Sequence, residues 1–223
     1  MPSLPPRTTI VTVAYNSTEV LPAMLASVPA GVPVVLVDNG SADLAELRAL
    51  AVRTGARLVE NGRNLGFGPA CNVGAALADT EFILFLNPDT ILTPEAIARL
   101  EAAMDRHPAA SAANPRLTDG AGRPYFKRRS VLLPRSEWLA RGWPDADRQV
   151  PVLSGAALFC GELLVGVFQQ FPTAFNARRE LFVEPVVTLL EHVLPTELEA
   201  VRAAGRDYLA RRRDWASRGR YSK

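Results

Sequence analysis

The chain has 223 residues, 48% of them apolar and 22% charged, with a formal net charge of +2. This length suits one domain, or one domain with a small appendage, and the apolar content is ample for a core. So small a net charge argues against a nucleic-acid partner, no apolar run is long enough to span a bilayer, and the start Met1-Pro2-Ser3-Leu4-Pro5-Pro6 lacks the apolar stretch of a secretory signal. Cys71 and Cys160, the only cysteines, have no metal spacing and suggest no disulfide framework, so a reducing cytoplasm is the expected setting.

In chain order, Thr8 to Ala14 (TTIVTVA) is β-branched and apolar and predicts a buried strand. Glu19 to Val28 predicts a short helix, Val32 to Val37 a second strand ending at Asp38, and Asp43 to Thr54 a helix with Leu44, Leu47, Leu50 and Ala51 at helical spacing. Ala56 to Val59 is a brief third strand, the alanine-rich run Pro69 to Ala78 a helix, Glu81 to Leu86 a fourth strand, and Pro94 to Met104 a helix. Such alternation implies a mostly parallel sheet covered by helices on both faces. After Ala112 the alternation stops. Asp119-Gly120-Ala121-Gly122 reads as a turn between strands, Leu132 to Arg148 as irregular, Val150 to Phe159 as apolar with a Ser-Gly break, and Pro195 to Trp215 as helical.

Ligands of open parallel sheets bind beyond the carboxyl ends of the strands. The polar clusters fall there: Tyr15-Asn16-Ser17 after the first strand, Asp38-Asn39-Gly40-Ser41 after the second, Asn87-Pro88-Asp89 after the fourth. The last of these follows Phe82-Ile83-Leu84-Phe85-Leu86, five apolar residues that end in a carboxylate at the strand tip. A hard cation such as Mg²⁺ takes oxygen ligands and often only one or two protein carboxylates, so Asp89 suits a metal held against a diphosphate. It equally suits a cap for the helix that begins near Thr93-Pro94-Glu95. Asp38 suits either a nucleotide contact or an Asx turn. Between Asn64 and Gly74 a glycine-bearing loop runs into a helix start, an arrangement that lets backbone approach a diphosphate, or that needs positive φ at Gly66 and Gly68 for the turn alone. The loop fits a dinucleotide fingerprint poorly, because Cys71 stands where its third small residue belongs and no strand directly precedes the loop.

Strung together, Val11-Thr12-Val13-Ala14-Tyr15-Asn16-Ser17, Val37-Asp38-Asn39-Gly40-Ser41, Asn64-Leu65-Gly66-Phe67-Gly68-Pro69-Ala70-Cys71-Asn72-Val73-Gly74 and Leu86-Asn87-Pro88-Asp89 resemble family 2 glycosyltransferases of the GT-A fold, above all bacterial rhamnosyltransferase-like members. The likeness covers residues 8 to about 115 and returns thinly at Leu153-Ser154-Gly155-Ala156-Ala157. It implies a GT-A, Rossmann-like core over residues 8–160 behind a disordered start (1–7), followed by a divergent, helical, acceptor-side extension over 161–223. It also implies transfer of a sugar from a nucleoside-diphosphate sugar to a glycan or lipid-linked hydroxyl, with inversion, in bacterial surface polysaccharide assembly. Val13, Ala14, Tyr15, Asn16, Asp38 and Asn39 would seat the nucleotide. Asn64, Gly66, Phe67, Gly68, Asn72, Asn87, Ser154 and Gly155 would line the rest of the donor pocket. Asn-Pro-Asp takes the place of the family's Asp-x-Asp, with Asp89 as the carboxylate for Mg²⁺ or Mn²⁺.

The likeness fails where the family carries an acidic cluster supplying the catalytic base. Val167 to Phe175 (VFQQFPTAF) contains no acid. Glu184, which follows an apolar pair and precedes Pro185, is the candidate base, with a surface carboxylate as the other reading. A non-catalytic nucleotide-sugar-binding protein on the same scaffold remains the second hypothesis. From Arg202 to Lys223, eight basic residues face only Asp207 and Asp214, which suits either peripheral contact with an anionic membrane or a solvated helix end.

Overall fold

The computed structural model describes residues 5–108, 110, 112–123, 147 and 156–160. Every residue of β1 (Thr8–Ala14) is buried. It is followed by α1 (Leu21–Ala26), β2 (Val34–Asp38), α2 (Leu44–Thr54), β3 (Arg57–Glu60), α3 (Phe67–Ala75), β4 (Phe82–Leu86), α4 (Ala96–Arg106), β5 (Ala112–Ala113) and β6 (Ala157–Cys160). The six strands form one sheet in the order β3-β2-β1-β4-β6-β5. β3, β2, β1 and β4 run parallel, with Val13 opposite Val37 and Val11 opposite Phe85. β6 is antiparallel to both β4 and β5. The chain winds outward from β1 to β3 and then returns through α3 to β4 on the other side of β1. The strand order therefore reverses at the β1–β4 boundary, where a crevice opens beyond the carboxyl ends of such sheets.

Strand alternation sorts the β1 side chains between two faces. Ile10 and Ala14 join Leu36 and Leu84 in a cluster with Leu21 and Met24 of α1, Leu47 and Leu50 of α2, and Leu100 of α4. The opposite face takes α3. A Cβ on Gly74 would lie 2.3 Å from Val11 Cγ1 and 3.0 Å from Val37 Cγ2, so only glycine lets α3 sit this close to the sheet. Cys71 and Cys160 are both buried and free, and burial pushes the Cys71 thiol up to about 12. A thiol in that state is neither a ready nucleophile nor a ready metal ligand.

Element boundaries differ from the sequence reading for local reasons. The chain first turns at Ser17, whose carbonyl accepts from Val20 and Leu21, so α1 begins at Leu21 rather than Glu19. Pro33 lacks the amide a ladder needs, and β2 begins after it. α3 begins at Phe67 rather than Pro69, because Gly66 turns the chain with φ 89° and Pro69 fits the first helical turn, where its missing amide is no loss. Of the two glycines read as needing positive φ, only Gly66 has it; Gly68 is helical. Asp119 to Gly122 is a turn, in which the Gly122 amide donates to the Asp119 carbonyl at 2.9 Å and Gly122 takes φ 73°.

Candidate nucleotide-sugar site

The clusters expected after β1, β2 and β4 all lie at the carboxyl edge of the sheet. Val13 and Ala14 are the last, buried residues of β1, and the Ala14 carbonyl accepts the Asn39 amide at 2.8 Å. Tyr15 beyond them is half exposed, with its amide on Ser17 Oγ at 3.2 Å. Asn16 is the one non-glycine described residue at positive φ, 52°. Its amide donates to Ser41 Oγ at 3.0 Å, and its side-chain oxygen accepts the Ala42 amide at 2.8 Å. Thr18 donates both its amide and its hydroxyl to Asp43 Oδ2. These bonds tie the loop after β1 to the loop after β2.

Asp38 is buried. Its Oδ2 accepts the Gly40 amide at 3.1 Å and its Oδ1 the Ser41 amide at 3.0 Å. This is the Asx-turn arrangement, which fixes the path of the loop. Asn39, also buried, reaches across to Asn61, Asn64, Leu65 and Gly66 in the loop after β3. Asn64 Oδ1 in turn accepts the Gly66 amide at 2.8 Å. That loop delivers the chain to the N-terminus of α3, where Phe67 is half exposed, Gly68 buried, and Asn72 buried one turn further on. Glu60, at the end of β3, is paired with Arg48 of α2 at 2.8 Å, and the guanidinium holds its carboxyl below the usual range.

Across the sheet's switch point, the Asn87 amide donates to Ala156 O at 2.9 Å and its carbonyl accepts the Thr90 amide at 3.1 Å, turning the chain at the tip of β4. Asp89 is exposed. The helix cap residue is Glu95, so Asp89 lies well before α4 and does not cap it. Its carboxylate forms no ion pair or hydrogen bond with the described residues. No cluster of three metal-ligating side chains occurs among the described residues. A cation bridging two phosphates needs only one or two protein carboxylates, so an exposed carboxylate at this edge, unpaired among the described residues, fits Mg²⁺ or Mn²⁺. Ser154, Gly155 and Glu184 lie outside the described residues.

The glycosyl transferase family 2 pattern matches residues 9–157, spanning β1 to the start of β6. The chain belongs to glycosyltransferase family 2. An N-acetylglucosaminyl-diphospho-decaprenol L-rhamnosyltransferase of Mycobacterium tuberculosis is 31% identical, with 67% of this chain and 59% of that protein covered. An uncharacterized glycosyltransferase of the same organism is 34% identical over 98 residues, 44% of either chain. The chain thus spans about half the length of the curated relatives it matches. Among solved structures, S. aureus TarS (residues 1–349) in complex with UDP is similar with a TM-score of 0.53 at 17% identity, covering 91% of this chain and 70% of that one. Mannosyltransferase PcManGT from Pyrobaculum calidifontis, in complex with GDP-Man and Mn²⁺, is similar with a TM-score of 0.53 at 15% identity, covering 97% and 76%. The fold of this family 2 chain is GT-A.

Ser41, Ala42, Thr18, Asp43 and Asn61 form the ties between the loops, and sequence reasoning assigned none of them to the site. The only sequence signal was their place beside the motifs, Ser41 closing Asp-Asn-Gly-Ser and Asn61 opening Asn-Gly-Arg-Asn.

Proposed function

We propose that the chain carries the donor half of an inverting glycosyltransferase, which moves a sugar from a nucleoside-diphosphate sugar to an acceptor hydroxyl. The observation that carries this is the exposed Asp89 carboxylate at the tip of β4, unpaired among the described residues, beside the sheet's switch point, in a family 2 domain. The backbone from Val13 to Asn16 seats the nucleotide, with Asp38 fixing the loop beneath it. The N-terminus of α3 would offer the first-turn amides of Phe67 and Gly68 to the diphosphate, a stabilising arrangement for an anion. A divalent cation held by Asp89, with Asn87 beside it, would neutralise charge on the departing nucleoside diphosphate. Mn²⁺ in the complex of the structurally similar mannosyltransferase supports that choice.

The decaprenol-linked substrate of the rhamnosyltransferase relative supports a lipid-linked acceptor and a place in surface polysaccharide assembly. A lipid-linked acceptor also gives the basic run Arg202 to Lys223 a role, contact with an anionic membrane surface. Glu184 is the proposed base for the acceptor hydroxyl. The acid-free stretch Val167 to Phe175 favours a second reading, a nucleotide-sugar binder that does not transfer. The test is calorimetry with UDP, dTDP and GDP, each with and without Mn²⁺, followed by a transfer assay in which nucleotide-activated sugars, L-rhamnose included, meet a polyprenyl-diphosphate-linked N-acetylglucosamine. Metal-dependent binding with transfer supports the transferase. Binding without transfer supports the second reading, and absence of metal-dependent binding removes both.

A further inference from the structure

A primary amide has two donor hydrogens and two acceptor lone pairs, and a buried one must find partners for them inside the protein. Asn39 is 3% exposed and fills all of these positions. Its Nδ2 donates to Asn64 Oδ1 at 3.0 Å and to the Gly66 carbonyl at 3.4 Å. Its Oδ1 accepts the Leu65 amide at 3.0 Å and Asn61 Nδ2 at 3.2 Å. The backbone partners fix which way the amide points, since Leu65 N–H can only donate and Gly66 O can only accept. The next residue interlocks the same two segments. Gly40 has φ 87°, and a Cβ there would lie 2.7 Å from the Arg63 carbonyl carbon and 2.9 Å from the Asn64 nitrogen.

We infer that Asn39 is a positioning residue and not a donor ligand: it clasps the loop Asn61 to Gly66 to the carboxyl end of β2 and thereby sets where α3 starts and where its N-terminus points. The inference rests on the donor-site reading above. A side chain whose four hydrogen-bonding positions are engaged has none left for a nucleotide, while each of its partners lies in the loop that delivers Phe67 and Gly68 to the pocket edge. Asn39 therefore acts on the donor through that loop.

Asn39→Ala removes all four bonds. Asn39→Asp keeps an acceptor for Leu65 and Asn61 but replaces the donor to Asn64 and Gly66 with an oxygen that repels them. Affinity for UDP, dTDP and GDP with Mn²⁺ is measured well below the melting transition, together with hydrogen exchange of the Leu65 and Gly66 amides. Both variants are expected to bind the parent's preferred diphosphate about tenfold more weakly or worse, the scale of losing one or two buried hydrogen bonds. The Gly66 amide exchanges faster in both, and the Leu65 amide only in Asn39→Ala. Arg99→Ala, on the exposed outer side of α4, matches the parent. A purely structural Asn39 lowers the melting temperature yet leaves the affinity of the folded protein unchanged, and that result overturns the inference, as do loop amides that exchange as in the parent. If Asn39→Ala does not fold, Asn39→Asp decides. If the parent binds none of the diphosphates, the donor-site reading fails by itself, and the Leu65 and Gly66 exchange rates alone decide whether Asn39 clasps the loop.

Discussion

The Asn16 amide donates to Ser41 Oγ at 3.0 Å, joining the loop after β1 to the turn after β2. Asn16 holds φ 52°, a left-handed conformation that asparagine tolerates better than most residues. Asn16→Ala combines a less tolerant residue with loss of the bond to the Ala42 amide and is expected to destabilise the protein by about 1–3 kcal/mol in chemical denaturation. Asn16→Gly loses the same bond without the backbone penalty, and its smaller effect separates the two contributions. Equal effects from both variants would show that the backbone angle carries no cost.

Asp89→Ala is expected to abolish the Mn²⁺-dependent part of nucleoside-diphosphate binding while leaving the thermal unfolding curve unchanged. The residue is exposed and lies outside the core, so its removal leaves no cavity. Calorimetry with and without Mn²⁺ is the measurement. Persistence of the metal-dependent component in the variant removes Asp89 from the cation site.

Gly74→Ala places a methyl group 2.3 Å from Val11 Cγ1, so α3 must lift from the sheet or Val11 must move. Overpacking of this kind costs about 1–3 kcal/mol. The double variant Gly74→Ala with Val11→Ala removes the clashing atom, so its loss of stability should be smaller than the sum of the two single changes. Strict additivity in that cycle would mean that the two residues do not meet.

Arg7, at the opposite edge of the sheet, donates to both Glu81 and Asp105 and lies over the Phe82 ring at 5.0 Å. The guanidinium holds the Asp105 carboxyl below its ordinary range. A depressed folded-state value means that the unfolded chain takes up the proton first as pH falls. This contribution is therefore present above the ordinary carboxylate range and lost as pH falls through the folded value. The stability gap between the parent and Arg7→Ala should accordingly be small, close with added salt because the groups are exposed, and narrow on acidification. A gap that widens at low pH or ignores salt contradicts this account.

Glu184→Gln is expected to lower turnover by about 10²–10⁴-fold, the usual contribution of a positioned base, while nucleoside-diphosphate affinity stays at the parent value. Parallel measurement of transfer and binding distinguishes this from a folding defect. Transfer at the parental rate assigns the base elsewhere.

Much of the sheet was legible from local pattern. The uninterrupted Thr8 to Ala14 run coincides with β1, and the apolar Phe82 to Leu86 run with β4, because an unbroken β-branched or apolar stretch of that length has few ways to bury itself except as an interior strand. Alternation of strands and helices likewise sufficed for a parallel sheet, and the placement of polar clusters at its carboxyl edge followed from that. The antiparallel insertion of β6 between β4 and β5 was not legible, since β6 must meet in register a β4 more than 70 residues before it and a β5 more than 45 residues before it. The side chains at the edge were ambiguous for the same reason. Asp-Asn-Gly-Ser is equally a turn and a binding motif as a string of letters. The tertiary structure directs the Asp38 oxygens to its own turn and brings Asn39 against Asn64, 25 positions away. Periodicity determines which residues are buried and in what kind of element. Which hydrogen-bond partner a buried polar group finds is decided only when distant loops pack together, because the cost of leaving that group unpaired is met wherever the fold happens to supply a partner.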